Sequence, residues 1–380
     1  MAEDSLFYSA DHDLFRHQVR RFVSKEIEPN AEEWDEAGTF PRALYAKAAE
    51  VGALQVRFPE DYGGVPADRF FSIIVQQEFS RAGTGGVSAS LLSHTLALPS
   101  VAAHGSQALK ARVLPEVLAG RKIAALAVTE PGGGSDVANL RTTARRERDL
   151  YIVTGEKTFI TSGMRADFLT VAVRTGGPGT GGISLLVIDG DTPGLTRTPL
   201  RKTGWWASDT ATLHFDGCRV PAANLVGPEN QGFRLLAATF NDERLGLAAS
   251  AIGFARLAFE EALAYARMRE TFGQRLVHHQ VIRHKLVDMA QRVAASQAFL
   301  ETTAWRMDQG SEPFGDLCML KNQATQTLAF CASEAVQIFG GAGYLRGSKV
   351  ERIYREVKVN AIGGGSEEIM KELAAKLLKF

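Results

Sequence analysis

Along this chain of 380 residues the spacing of apolar side chains changes character twice, so no single repeating unit can account for it. From Gly232 onward Leu245, Ala249, Ile252, Phe259 and Leu263 recur at helical steps. The pattern returns in Ile282, Leu286, Met289, Val293, Leu300 and Met307, and again from Leu317 through Leu328 to Ile338. Three such stripes with short connections predict a bundle of long helices, closed by a last helix after Gly365. Upstream, Tyr151-Ile-Val-Thr, Phe168-Leu-Thr-Val-Ala-Val, Ile183-Ser-Leu-Leu-Val-Ile and Ala211-Thr-Leu-His-Phe are short β-rich runs parted by glycine turns, with no helix between them. Close spacing of that kind predicts an antiparallel meander, barrel or sandwich and not a βαβ repeat. Before about Gly120 the texture is helical but broken by Pro and Gly; Phe15, Val19, Phe22 and Val23 mark one amphipathic face that stops near Pro29. The expected fold class is α+β, mainly α: an N-terminal helical domain over 1–121, a middle antiparallel β-domain over 122–227 and a C-terminal four-helix bundle over 228–380.

Charge narrows the function classes. Lys+Arg and Asp+Glu number 43 each, so the chain carries no basic footprint for nucleic acid and no basic face for a membrane surface. No stretch reaches the length of a membrane span, and Met1-Ala-Glu-Asp-Ser-Leu-Phe lacks the charge pattern of a signal peptide. The expectation is a soluble, cytoplasmic protein without membrane insertion. Cys218, Cys318 and Cys331 are too scattered for a disulfide framework or a zinc site, and no metal is expected.

Motifs, taken singly, leave alternatives open. Gly177-Pro-Gly-Thr-Gly-Gly formally matches a dinucleotide fingerprint but leads into a strand, with no helix for a pyrophosphate, and is read as a hairpin loop. Thr129-Glu-Pro-Gly-Gly-Gly-Ser-Asp136 follows a buried-looking strand. Its glycines let backbone approach a ligand and its hydroxyls add donors, although a plain strand-end loop has the same composition. Lys157-Thr-Phe-Ile-Thr-Ser-Gly163 offers an aromatic face and hydroxyls to a planar heterocycle, or is an ordinary hairpin edge. Arg267-Met-Arg-Glu-Thr-Phe-Gly-Gln-Arg275 ends a helix with cations that suit either the helix dipole or a diphosphate. Gln337-Ile-Phe-Gly-Gly-Ala-Gly343 closes another helix, and Ser366 after Gly363-Gly-Gly365 is placed to cap the last one. Asn241-Asp-Glu-Arg-Leu245 reads as the opening of the first long helix, its acids serving as dipole partners or as a general base.

In this order and at these distances the motifs resemble the acyl-CoA dehydrogenase family, nearly end to end. The match starts at Phe58-Pro-Glu-Asp-Tyr-Gly-Gly and takes in Ser208-Asp-Thr with Arg219-Val-Pro, as well as the motifs above. The resemblance implies noncovalent FAD, an acyl-CoA substrate, an electron-transfer flavoprotein as acceptor and a homotetramer built as a dimer of dimers. By the family pattern Leu126, Val128 and Thr129 lie at the isoalloxazine edge and Phe159, Ile160 and Thr161 on its other side. Gly134 and Ser135 complete that wall, and Ser135 also reaches toward CoA phosphates. Arg269, Thr271, Phe272, Gln337, Gly340 and Gly341 would serve the FAD of the neighbouring subunit, and Ser366 and Glu368 also fall where the family touches FAD.

One departure decides the catalytic assignment. Many members carry their base in a Tyr-Glu-Gly-Thr segment before the last helix, and Gly364 stands where that Glu would be. A glycine cannot be a base, though its N–H can donate to the thioester oxygen. Isovaleryl-CoA and long-chain members carry the base in a Glu-Arg-Leu motif, and this chain has Glu243-Arg-Leu245. Glu243 is therefore expected to take the α-proton, with Asp242 and Arg244 as CoA-side or supporting groups. Gly363 and Gly364 replace bulkier groups and are expected to leave room near the reacting carbons. The 88–94 segment is expected to line the acyl channel, with His94 structural. The implied reaction is α,β-dehydrogenation of an acyl-CoA to the trans-2-enoyl-CoA. A carrier-bound (for example prolyl) thioester dehydrogenase, a flavin monooxygenase and a flavin-free binding relative stand as alternatives.

Overall fold

The structure is a computed structural model and describes residues 6–380; the first residues of the signal-peptide comparison lie outside them. Among the described residues eight helices form the N-terminal part: α1 (Ala10–Phe22), α2 (Ala31–Ala37), α3 (Ala43–Glu50), α4 (Arg69–Ser80), α5 (Gly85–Leu91), α6 (His94–Ala97), α7 (Pro99–His104) and α8 (Gln107–Leu118). The face read on α1 is real: Val19, Phe22 and Val23 are buried against Phe79, Leu91 and their neighbours. The chain tightens through a π turn (Val23–Ile27) into a short turn containing Pro29, whose missing N–H ends the run.

Strands β1 (Ala124–Ala127), β2 (Thr143–Glu147), β3 (Leu150–Ile160), β4 (Phe168–Arg174), β5 (Ile183–Asp189), β6 (Leu195–Pro199), β7 (Ala211–Pro221) and β8 (Leu225–Val226) form one eight-stranded sheet. Its order is β6-β7-β3-β2-β4-β5-β8, with β1 beside β4. The expected antiparallel pairing needs correction: β1 runs parallel to β4, and β2 meets β4 in parallel at Thr143 and Arg174, so the sheet is mixed. The β1 strand enters from α8, a crossover that local spacing cannot reveal. Both faces of the central strands are buried. Leu169, Val171 and Leu186 face one core, while Phe168, Ala172, Leu185 and Val187 face α6–α8, the two-residue alternation of a strand. The 177–182 segment ends in a 3₁₀ turn (Thr180–Gly182) feeding β5, the hairpin loop that was expected.

Next come α9 (Gly232–Met268), the hairpin β9 (Glu270–Thr271) and β10 (Gln274–Arg275), α10 (Gln280–Asp308), α11 (Phe314–Phe339), α12 (Lys349–Ile362) and α13 (Glu367–Leu378). The predicted stripes form one core in which Leu245, Ile252, Met289, Val293, Leu320 and Leu328 are all buried. Helix α9 begins at Gly232, not at the Asn241–Leu245 motif. Glu243 therefore lies about three turns inside the helix, too deep for a dipole role at its N-terminus. Among the described residues no single helix is long and apolar enough to cross a membrane.

Candidate active site

Two residues 121 positions apart in sequence, Glu243 and Gly364, meet in space. A Cβ placed on Gly364 would sit 3.7 Å from Glu243 Oε1 and 2.5 Å from Leu247 Cδ1. Glu243 and Leu247 share a face of α9 one turn apart, so together they occupy the volume a side chain at 364 would need. The expectation of open room at Gly364 is thus corrected: the space is filled by the carboxylate and by Leu247. Gly364 also has φ +66°, a conformation that a side chain would strain. Gly363 is extended, and its N–H closes α12 on Val359 O at 2.8 Å.

Glu243 is half-buried and, among the described residues, has no hydrogen-bond or ion-pair partner. Burial pushes its carboxyl up to about 7, against the pull of Arg244 and Lys321. An unpartnered carboxylate titrating near neutrality is matched to proton abstraction. Arg244 turns back to the glycine turn, its Nε donating to Gly364 O at 3.3 Å and its Nη1 to Asn241 Oδ1 at 2.9 Å. Asp242 is engaged elsewhere, with Arg57 and Arg69 both at 3.2 Å, while Arg69 also holds Asp308 at 2.8 Å. That cluster ties α9 to the N-terminal domain.

The two motifs of the middle domain lie side by side. Thr158 N–H donates to Thr129 O at 2.9 Å, and Lys157 Nζ donates to Val128 O at 2.9 Å and to Glu130 Oε1 at 2.8 Å. Glu130 also accepts the N–H groups of Arg141 and Thr142. This buried pair, which links the two motifs, fixes the loop carrying Thr129, Gly134 and Ser135. A bulge between Lys157 and Ile160 in the β3–β7 pairing turns Phe159 outward, with φ +61° and 68% of its surface exposed. Ile160 is 3% exposed, its side chain in the sheet core, so it offers only backbone to a ligand. Val128 is likewise buried, whereas Leu126, Thr129 and Thr161 are half-buried and Gly134 and Ser135 are exposed.

A second group gathers at one end of the bundle. Tyr265 on α9 stacks on Phe339 of α11 at 4.2 Å, so the ends of the two helices, after which Arg269 and Gly340 follow, lie together. Phe272 is 98% exposed with φ +51°, and Arg269 has no side-chain partner among the described residues. A Cβ on Gly340 or Gly341 would meet nothing within 4 Å. At the last helix Ser366 caps α13 by accepting Ile369 N–H at 3.4 Å. Glu368, exposed, is held below the usual carboxylate range by its own backbone N–H and by Ser366.

These features fit FAD. A planar dinucleotide needs an aromatic wall, backbone open to close approach and cationic donors. Outward Phe159 would supply the wall. Open space at Gly132, Gly340 and Gly341 would admit a close approach, and exposed Arg269 would supply charge. Two strained aromatics, Phe159 and Phe272, at exposed positions are the kind of feature that marks binding sites.

In the 88–94 segment His94 is structural as expected. Its ring nitrogens lie against Leu54 O and Leu91 O, and burial draws its pKa down to about 4. The other side chains of the segment are buried except Ala89, which alone is open enough to line a channel. Lys321 was not anticipated, although a lysine between Leu320 and Ala324 on an apolar stripe is a legible anomaly.

Comparison with known proteins matches the N-terminal, middle and C-terminal domain models of acyl-CoA dehydrogenases to residues 9–121, 125–218 and 230–379. An acyl-CoA dehydrogenase of Bacillus subtilis is 37% identical, across 96% of this chain and 97% of its own length. The mitochondrial long-chain specific acyl-CoA dehydrogenase of Sus scrofa is 34% identical, across 97% of this chain and 86% of its own. Among solved structures, a probable acyl CoA dehydrogenase from Mycobacterium abscessus superposes with a TM-score of 0.96 and 48% identity, covering 98% of this chain and 100% of that one.

Proposed function

The chain belongs to the acyl-CoA dehydrogenase family, whose members are FAD-dependent oxidoreductases of acyl-CoA thioesters, and we propose that Glu243 is its catalytic base. The observation that carries this reading is the meeting of Glu243 with Gly364: an unpartnered carboxylate with pKa about 7 beside the glycine that stands where other members place their base. Glu243 takes the α-proton of the bound acyl group onto a carboxylate oxygen. The N–H of Gly364, which has no acceptor among the described residues, donates to the thioester oxygen and stabilises enolate-like charge as the proton leaves. Arg244 holds the carbonyl of the same glycine, in the following peptide of the turn, and the half-buried recess keeps the base poorly solvated. FAD, when bound, supplies the acceptor for the β-hydride, so that proton and hydride together leave a trans-2-enoyl-CoA.

The 129–136 loop, Phe159 and Thr161 hold the flavin on one protomer, and Arg269, Phe272, Gln337 and Gly340 reach that of a second. Exposed Phe272, Tyr344 and Leu345 suit burial against another copy, and a homotetramer with an electron-transfer flavoprotein as acceptor completes the reading. The test is anaerobic titration of the yellow protein with short, branched, medium and long acyl-CoAs. Bleaching by one class, abolished in Glu243→Gln, is expected. A flavin that no acyl-CoA bleaches, or a Glu243→Gln variant with undiminished turnover, overturns it.

A further inference from the structure

Lys321 is a buried charge that proton abstraction by Glu243 leaves unexplained. It lies on α11 between fully buried Leu320 and Ala324, and its own exposure is 0%. An ammonium in such a place is costly unless its protons are met. Its Nζ donates to Ala361 O at 2.9 Å and to Gly365 O at 2.8 Å, on either side of the turn that joins α12 to α13. Arg244 holds the intervening Gly364 carbonyl at 3.3 Å. Glycine backbone has little shape of its own, and Gly364 and Gly365 both have positive φ, at +66° and +104°. The geometry of this turn is therefore what its tethers impose.

Docking of the last helix has supports besides Lys321. Asn322 Nδ2 donates to Glu367 O at 2.9 Å, and Gln326 Nε2 to Glu367 Oε2 at 3.2 Å. The lysine is reserved for the glycine turn itself. The charged groups around it are Glu243 and Arg244 on α9 and Glu367 and Glu368 on α13, while α12 offers the Ala361 carbonyl. Burial draws the ammonium down to about 8, with the nearby carboxylates opposing.

We propose that Lys321 is a positioning residue: by pinning the carbonyls of Ala361 and Gly365 it sets the glycine turn so that the Gly364 N–H and the Glu243 carboxylate address the same acyl thioester. This rests on Glu243 being the base. A turn released from its tether lets the N–H swing away from the thioester oxygen, and loss of the cation removes an attraction that favours ionised Glu243.

The test uses FAD-loaded Lys321→Met, which keeps length and apolar stem but has neither donor nor charge. Two readouts apply: steady-state kinetics against pH, and the carbonyl stretch of a bound, unreactive acyl-CoA analogue labelled at its thioester carbon. Expected are a kcat lower by about tenfold to a hundredfold, the size of loss that about 1 Å of misplacement causes, with KM little changed. The acid limb should move to higher pH, and the carbonyl stretch should lose its hydrogen-bonded shift. Lys321→Gln, retaining an N–H₂ donor without charge, should recover part of the carbonyl shift but not the acid limb, and it decides the matter if the Met variant fails to fold. Gln326→Ala should leave every readout at the wild-type value. A folded, yellow Lys321→Met with wild-type kcat, acid limb and carbonyl stretch overturns the proposal. Failure of the base reading is seen separately, as turnover surviving in Glu243→Gln, and the carbonyl stretch then still decides whether Lys321 sets the turn.

Discussion

Replacing Glu243 with Gln is expected to stabilise the folded protein while it stops turnover. Burial raises this carboxyl from the ordinary 4.5 to about 7. A carboxyl whose folded pKa lies above its unfolded value binds its proton more tightly in the native state. Its cost to stability is therefore absent below about 4.5, grows as pH rises through that window and is complete above about 7. A rise of this size corresponds to about 3 kcal/mol of differential interaction. Because the side chain keeps one face open to water, about 1–2 kcal/mol is the part expected in practice. Gln has nearly the same shape and no charge to desolvate. Urea unfolding of the FAD-loaded wild type and variant at pH 8 and at pH 5 measures the difference. The variant should be the more stable at pH 8 by that amount, with the advantage largely gone at pH 5. An advantage equal at both pH values, or a variant weaker than wild type at pH 8, would refute the electrostatic account of this site.

Gly364→Ala should lose about 1–2 kcal/mol, since its Cβ meets Leu247 Cδ1 at 2.5 Å on backbone with φ +66°. Thermal unfolding and kcat should both fall, and an unchanged melting temperature would count against the crowding. Phe159→Ala should retain less flavin, weakened about tenfold for a lost ring contact, with urea stability of the apoprotein unchanged because the ring is 68% exposed. Unaltered flavin affinity would remove Phe159 from the binding wall. Lys157→Met leaves Glu130 buried without its ion-pair partner and should cost about 3–5 kcal/mol in urea unfolding. A loss under about 1 kcal/mol would mean the backbone donors alone satisfy Glu130. In the wild type kcat/KM should rise with pH through about 7 as Glu243 loses its proton, and a flat profile from pH 5 to 9 would exclude it as the titrating base.

Much of the architecture was legible because burial leaves a local imprint. Leu245, Ile252 and Leu328 each face the core of a bundle, and their spacing records the helical period whatever their partners are. The same holds for the two-residue alternation of β4 and β5, and the order of the motifs was enough to suggest the family. The expectation for Glu243 comes from the family resemblance, through the absence of a carboxylate at Gly364 and the presence of one in Glu-Arg-Leu.

What required the tertiary structure is everything set by partners distant in sequence. The start of α9 at Gly232 carries no capping side chain at Gln231; it is held by Leu235 and Leu236 packing against the sheet, a contact no local signal announces. The parallel pairing of β1 with β4 depends on a crossover between segments with similar local texture. Ile160 and Phe159 are neighbours in one motif, yet a single extra residue in the pairing with β7 sends one into the core and the other outward. The filling of Gly364's empty position by Glu243 and Leu247, and the grip of Lys321 on the same turn, join three segments that the chain keeps far apart. Periodicity is a property of one residue and its immediate neighbours, whereas a site is a property of surfaces that meet only when the chain has closed on itself.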